Sequence, residues 1–456
     1  MNVANIISII GNNTSVTPIL VKDGIESSAK VYLADKQGQK VSKEQGFYEA
    51  REAAIEEFGT SAIWFLGPIA VAKTFNAVGK KVLKLQDDKF LKTDAKLLDG
   101  KHYQTLDKNV SELGDEFVKK EAAKIKTDKL AKLAKTRNLL GVAATIGLLA
   151  WLTLFKQKVT RSSIEKHGVP QGITFQGYVR DKVQAHPTFA AFMHDKNKAK
   201  SKEPSFKGVG ELVAQASIDA GVGAVRVGTA RDKDERKEYV FNTLAFITLN
   251  YLTAPFVEKG MNYLAKKANL PINLDAKVIA DKGFVEDITN ASKDSKIKEK
   301  MLDFVSLDNA KGIDKEEKII KFIDSELKKA HVDEKGNFKE FNNKTLEYAR
   351  KSGLVSIENN KRAVNKFIDT DAVASVHKNL KDVIDATAQK GAMPNFFKKL
   401  KATKYGTVLA NIAICSALVG VVLPKLRYAF REKGIGTVAS PGVKAYDHQH
   451  HITKKA

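Results

Sequence analysis

Residues 138–155 read NLLGVAATIGLLAWLTLF, a stretch without a single charge. Lys135 and Arg137 precede it, Lys156 and Lys158 follow it, and Trp151 stands near one end. A second stretch, 405–424, reads YGTVLANIAICSALVGVVLP between Lys404 and Lys425, with Arg427 and Tyr428 just beyond. Both have close to the ~20 residues a helix needs to cross a ~30 Å hydrocarbon core. Aromatic and basic residues at their ends are the usual interfacial anchors. A buried helix of a soluble protein is seldom apolar on every face for five turns. The two stretches therefore predict transmembrane helices in a mainly α integral membrane protein.

Two further runs are weaker. Val240–Val257 (VFNTLAFITLNYLTAPFV) is uncharged but carries Asn242, Asn250 and several threonines, with Pro255 near its end. Phe58–Ala72 (FGTSAIWFLGPIAVA) stops at Lys73, then resumes through 74–78. Lys73 can reach toward headgroups, and Pro68 permits a re-entrant or interfacial helix instead of a span. Asn and Thr in either run can hydrogen-bond across a helix interface. The expected number of spans is thus two to four, and the Pro-containing pair should stand or fall together.

That pairing comes from an internal likeness. Arg51-Glu52-Ala53-Ala54 leads into the run with Pro68 and ends in Gly79-Lys80-Lys81; Arg236-Lys237-Glu238-Tyr239 leads into the run with Pro255 and ends in Ala265-Lys266-Lys267. Asp94-Ala95-Lys96-Leu97-Leu98 is answered by Asp275-Ala276-Lys277-Val278-Ile279. The basic exit Phe155-Lys156-Gln157-Lys158 matches Pro424-Lys425-Leu426-Arg427. Upstream, Ile25-Glu26 with Ala29-Lys30-Val31 resembles Ile218-Asp219 with Val225-Arg226-Val227. The order predicts a degenerate duplication whose halves lie parallel in the membrane, as in some transporters.

Charge is +23, from 65 Lys and 11 Arg against 53 acidic residues. So lopsided a lysine excess makes a diffuse field suited to anionic surfaces. It argues against nucleic acid, whose readers rely on the planar arginine fork. Cys415 is the one cysteine, which excludes an intrachain disulfide or a cysteine-based zinc site. The first residues, MNVANIISIIGNN, have no basic n-region and too short an apolar core for a signal peptide, so insertion is expected to use internal segments. Segments 80–137 and 156–239 each carry 16 basic and 10 acidic residues, so the positive-inside rule gives no orientation.

The expected organisation is a polar N-terminal region at 1–57 and a first repeat unit at 58–161. That unit holds an apolar helix at 58–79, a basic helical insert at 80–137 and a transmembrane helix at 138–155. There follow a Gly/Pro-containing connector at 162–235, an apolar helix at 236–267 and a Lys-rich helical soluble domain at 268–404. A transmembrane helix at 405–424 and a basic tail at 425–456 complete the chain. Stretch 80–137 reads as helix, ending in a basic amphipathic segment with Lys119, Lys120, Lys124 and Lys126. Phe396-Phe397-Lys398-Lys399-Leu400-Lys401 leads into the last span in the same manner. These seven lysines are the candidates for contact with an anionic bilayer, at roughly 1 kcal/mol per basic residue near the surface.

Known chemistry was sought and is missing from the sequence. A calcium loop centred on Gly336 would place His331, Lys335 and Asn342 where carboxylates are required, so 333–337 reads as a turn. Gly221-Val222-Gly223 lacks the third glycine of a dinucleotide fingerprint, and there is no P-loop. His448, His450 and His451 lie beside Asp447 in a polar tail, while His102, His167, His186 and His194 are scattered. No catalytic, cofactor or metal site is expected, and the four apolar runs hold no carboxylate or His of the kind coupled transporters use as relays.

Three functions follow as expectations. The leading one is a non-enzymatic protein, multi-pass in a bacterial inner membrane or its equivalent, whose lysine-rich helices engage anionic lipid or an acidic protein partner. The second is a passive pore or transporter of two parallel repeats, lined by Asn242, Thr243 and Asn250. The third is a soluble helical protein with insertable hydrophobic hairpins.

Overall fold

The computed structural model describes residues 17–125, 127–167, 209–268, 270–281, 283–308, 310–390 and 394–441. The chain is mainly helical. It opens with α1 (Thr17–Gln39) and α2 (Lys43–Val82), which 40–42 separate. Two short 3-10 turns, Lys89–Lys92 and Ala95–Leu97, follow. Thr105 and Asp115 then start α3 (Leu106–Leu113) and α4 (Glu116–Ala123), their side chains accepting from the amides of Lys108 and Val118. Next come α5 (Thr127–His167), α6 (Val209–Gly228) and α7 (Lys233–Lys267), the last two separated by 229–232.

Capped short helices occupy the next segment: α8 (Ala276–Ala280), α9 (Phe284–Lys293), α10 (Ser295–Met301) and α11 (Gly312–Lys328). Strands β1 (His331–Val332) and β2 (Phe338–Glu340) pair antiparallel. Their connection is the turn expected at 333–337, in which the Asp333 carboxylate accepts from the Lys335 and Asn337 amides and Gly336 takes a positive φ. After α12 (Lys344–Lys351), β3 (Ile357–Glu358) pairs with β4 (Lys361–Arg362). Then α13 (Thr370–Lys390) and α14 (Pro394–Ala417) lead through a π-helical turn, Leu418–Val422, into α15 (Leu423–Phe430) and a second π-helical turn, Arg431–Ile435.

The chain divides into two compact units. Of the described residues, a helical unit takes 19–71, 140–167, 209–257 and 411–441; an insert unit takes 72–139 and 258–410 with 17–18. Helices α2, α5, α7 and α14 contribute residues to both.

The insert unit has an ordinary apolar core. Ile279, Phe284, Ile288, Ile319, Leu346, Leu380 and Ile384 are fully enclosed. A smaller cluster gathers Leu85, Phe90, Leu91, Leu97, Leu106, Ile125 and Leu130, and Val364 from the later segment completes it. Polar groups join the two segments as well: Gln104 donates to the Ile368 carbonyl at 2.8 Å and the Asn109 amide to the Val364 carbonyl at 3.1 Å.

Among the described residues, three helical stretches are long and apolar enough to cross a membrane: Lys43–Val82, Thr127–His167 and Asn395–Ile435. Helix α7 holds the uncharged run 240–257, several of whose side chains lie outside the described residues.

Other expectations are corrected. Stretch 80–137 is not one helix: its caps at Thr105 and Asp115 restart the chain, and folding back lets seven apolar side chains meet. The connector expected at 162–235 is helical at both described ends, since α5 continues to His167 and α6 begins at Val209. Gly221 and Gly223 sit inside α6 rather than in a loop. A Cβ on Gly223 would fall 2.2 Å from Thr243 Cγ2, so the glycine is what lets α6 and α7 touch. The boundary at 404/405 also moves. Helix α14 starts at Pro394, and Phe396, Phe397 and Leu400 are buried in the insert core. Residues 168–208, His448, His450 and His451 lie outside the described residues.

Candidate functional site

In the helical unit the usual distribution of polarity is reversed. Large apolar side chains face outward from the candidate spans: Leu66, Trp151 and Leu154 are 65%, 58% and 53% exposed. Charged side chains are inside, with Glu238, Lys156 and Arg431 at 1–2% exposure and Glu49 and Glu52 nearly as enclosed. Isolated charges cannot remain ionised in such surroundings, and these are paired.

The pairs form two clusters. In one, Lys156 at the end of the α5 apolar run donates to Glu56 on α2 at 2.6 Å and to the Tyr239 hydroxyl on α7 at 3.0 Å. Arg226 of α6 reaches the other oxygen of Glu56 at 2.9 Å. Arg231 holds Glu52 with two parallel bonds of 2.8 and 2.9 Å, and Glu235 at 2.6 Å. In the other cluster, Arg427 and Arg431 both clasp Glu238 of α7. Arg431 also donates to Glu49 of α2 at 2.8 Å, and Glu49 is completed by the Ser440 amide at 2.9 Å and by Gln45 at 2.7 Å.

Helical spacing explains how each helix reaches in. Glu49, Glu52 and Glu56 lie three and four residues apart, on one face of α2; Arg427 and Arg431 are four apart. Phe241 of α7 stacks on Phe430 of α15 at 4.5 Å, beside the second cluster.

These pairs border a cavity of about 350 Å³, walled by side chains of the helical unit alone. Along α2 it extends from Glu49 to Phe65, and along α7 from Glu235 to Tyr251, about 24 Å at 1.5 Å per residue. The ion pairs gather toward the start of both helices. Further along, Trp64, Phe65, Phe246 and Tyr251 share the wall with Asn242, Thr243 and Asn250. Helix α1 adds Lys22, Glu26 and Lys30, which is bonded to Glu57 at 2.7 Å, and α6 adds Asp219. Burial pushes the Glu26 carboxyl up to about 7, against the pull of Lys22 and Lys30. Asp219 is likewise raised by burial, opposed by the Tyr251 hydroxyl that bonds it.

No family model, curated protein or solved structure matches this chain. The site therefore stands on its own geometry.

The seven lysines selected from sequence lie elsewhere. Lys119, Lys120, Lys124, Lys398 and Lys399 are exposed, Lys401 is half-buried, and Lys126 is outside the described residues. Lys124 is bonded to Glu121 of its own helix. None of the six described ones lines the cavity. Asn242, Thr243 and Asn250 all do. Among the described residues no group of three His, Cys, Asp or Glu side chains is placed to hold a metal ion.

What sequence reading missed are the charges flanking the apolar runs. Glu52, Glu56, Lys156, Glu238 and Arg427 look like anchors at a membrane surface, yet they point inward and bind one another. One signal was present. In a chain with only 11 arginines, Arg226, Arg231, Arg427 and Arg431 all flank or punctuate apolar helices, and arginine suits a buried carboxylate better than lysine does.

Proposed function

We propose that this chain is a multi-pass integral membrane protein of the solute-carrier type, in which two parallel three-helix repeats enclose a polar translocation cavity. The observation that carries this reading is the reversal of polarity: apolar side chains outside, a charged cavity of about 350 Å³ inside. A lipid-facing surface explains the first, since exposed apolar area of that extent has no place in water. Ionisable residues facing a bundle interior mark substrate and ion pathways in membrane proteins.

The repeat reading gains support from element order. A short helix, a tight break and a long helix occur twice, as α1–α2 and as α6–α7. A 41-residue candidate span closes each set, Thr127–His167 and Asn395–Ile435. Between long helix and span the chain departs each time into the same insert unit. The ion pairs follow the same scheme. Lys156 of the first closing span binds Glu56 of its own long helix, and Arg431 of the second binds Glu238 of its own; each also contacts the other repeat, at Tyr239 and Glu49.

The clusters tie five helices together at one end of the cavity, which favours a gated carrier over an open pore. The test is reconstitution into proteoliposomes with osmotic swelling in potassium, choline and small amino-acid solutions. Swelling beyond that of empty liposomes is expected for at least one of them. Impermeability to all, in protein resistant to alkaline extraction, would overturn the reading.

A second reading keeps the lysine-rich surface as the working part, supported by the exposure of Lys119, Lys120, Lys398 and Lys399. It predicts co-sedimentation of the purified protein with anionic but not neutral liposomes, lost when Lys119, Lys120 and Lys124 are neutralised.

A further inference from the structure

Two carboxylates of the cavity stand apart from the ion-pair clusters. Glu26 on α1 is 5% exposed and its Oε1 accepts no hydrogen bond. The nearest ammonium, Lys22, lies 3.6 Å away and donates to Asn250 at 2.9 Å instead. Its other basic neighbour, Lys30, is committed to Glu57. Helix α1 is pinned at this level: Gly420, inside the π-helical turn of the last candidate span, packs so closely that a Cβ there would sit 3.0 Å from Glu26 Cα. Such turns widen a helix by one residue and recur at functional sites. Asp219, which the internal likeness pairs with Glu26, lines the same cavity and shares Asp23 and Lys30 as charged neighbours with it.

The wall as a whole is acidic, with nine carboxylates against six basic groups. Lys30, Lys156, Arg226, Arg427 and Arg431 are each bound to a glutamate. What is left over is negative, and the same wall carries the Trp64 and Tyr251 rings, with the Tyr251 hydroxyl bonded to Asp219. A wall that combines carboxylates with aromatic faces is the chemistry that recognises an ammonium ion, by charge and by cation–π attraction.

We infer that the cavity binds a small organic ammonium ion at Glu26 and Asp219, and that Glu26 releases a proton when the ion enters. The inference rests on the carrier reading and names its substrate class. In the exchange the Glu26 O–H bond breaks, the proton leaves to solvent, and the carboxylate electron pair faces the ammonium charge. No other reactant is needed. The groups facing Glu26 are Lys22, Asp23 and Lys30 of α1, Glu57 of α2 and the thiol of Cys415. With a carboxyl held up to about 7 by burial, the empty site is largely protonated at mildly acidic pH. Proton and ligand then compete for one oxygen pair, which is the physical basis of coupled exchange.

The experiment uses the full chain in detergent with Trp151→Phe, so that Trp64 in the cavity wall is the one fluorescent indole. Titration with tetraethylammonium should quench or shift Trp64. The apparent Kd should be about tenfold weaker at about pH 6 than at about pH 8, the linkage expected for one proton with a carboxyl midpoint near 7. A pH dye in weak buffer at about pH 6 should report about one proton released per ion bound. Glu26→Gln should abolish that release and the pH dependence, and Glu26→Asp should restore both, which separates the role from folding. Binding that ignores pH, or that survives unchanged in Glu26→Gln, overturns the inference, as does no response at all. Swelling of proteoliposomes without tetraethylammonium binding would sink this inference alone; binding without any solute flux would sink the carrier reading alone.

Discussion

Arg431 Nη2 lies 2.8 Å from Glu238 Oε1, and the two side chains are 2% and 1% exposed. The pair joins the end of the last candidate span to the start of α7, and the same guanidinium bonds Glu49 of α2. Removing either partner leaves the other under-paired where water does not reach it, with Glu238 keeping only Arg427 or Arg431 keeping only Glu49. That costs about 3–5 kcal/mol, far more than an exposed pair is worth.

Arg431→Ala and Glu238→Ala should therefore each lower thermal stability in detergent by about 3–5 kcal/mol. The double variant should lose less than the sum, because the two charges no longer strand each other, although Arg427 and Glu49 each still lose a partner. Arg431→Lys should recover only part of the loss, since one ammonium cannot serve Glu238 and Glu49 with the geometry of the fork. Unfolding of the four proteins, monitored by tryptophan fluorescence, gives the coupling energy directly; additive losses would contradict a buried pair.

Gly223 should not tolerate alanine. Its Cβ would meet three atoms of Thr243 within 2.9 Å, so α6 must be pushed off α7 or strained against it. The expected loss is about 1–3 kcal/mol. Thr243→Ala removes two of the three contacts and should rescue a good part of it. Thermal melts of the two singles and the double variant check this, and failure of the rescue would place the strain elsewhere.

Lipid-facing positions of α5 and cavity-facing positions of α7 should separate in a labelling experiment. In a Cys415→Ala background, cysteines at Asn242, Thr243 and Asn250 should react with a small hydrophilic thiol reagent in intact membranes. Cysteines at Leu148 and Trp151, exposed on the outer surface of α5, should be protected by lipid. Reactivity in the reverse order would indicate a water-exposed outer surface and sink the membrane reading.

In the insert unit, His377 stacks on Phe304 with ring centroids 4.7 Å apart. Burial, aided by Lys381, holds its pKa below the ordinary value of 6.5. The unfolded histidine takes up a proton below that pH while the folded one resists it. Stability is therefore full above about pH 6.5 and falls as the solution becomes more acidic. His377→Gln should flatten this acid decline in calorimetric scans, leaving the neutral-pH value to change only by the lost stacking.

The two charge-free runs at 138–155 and 405–424 were legible because each meets a simple length requirement that needs no knowledge of neighbours. The fit of α7 was less so, since Asn242, Thr243 and Asn250 suit either a helix interface or a cavity wall. In the insert, a lysine-rich stretch with three-to-four spacing predicts one long helix. Thr105, Asp115 and the leucines around Leu97 instead fold it back, because burying Phe90 and Leu91 against Val364 outweighs continuing the helix.

Sequence by itself determined that the chain is mainly helical and that the charge-free runs at 138–155 and 405–424 are long and apolar enough to cross a bilayer. Tertiary structure alone decided which way the flanking charges face. Glu52, Lys156, Glu238 and Arg427 are separated by up to hundreds of residues, and each taken singly is a favourable anchor at a polar surface. Only when four helix ends come together do the charges find one another. The Coulomb attraction and hydrogen bonds of an enclosed pair then offset a desolvation cost that none of them could meet alone.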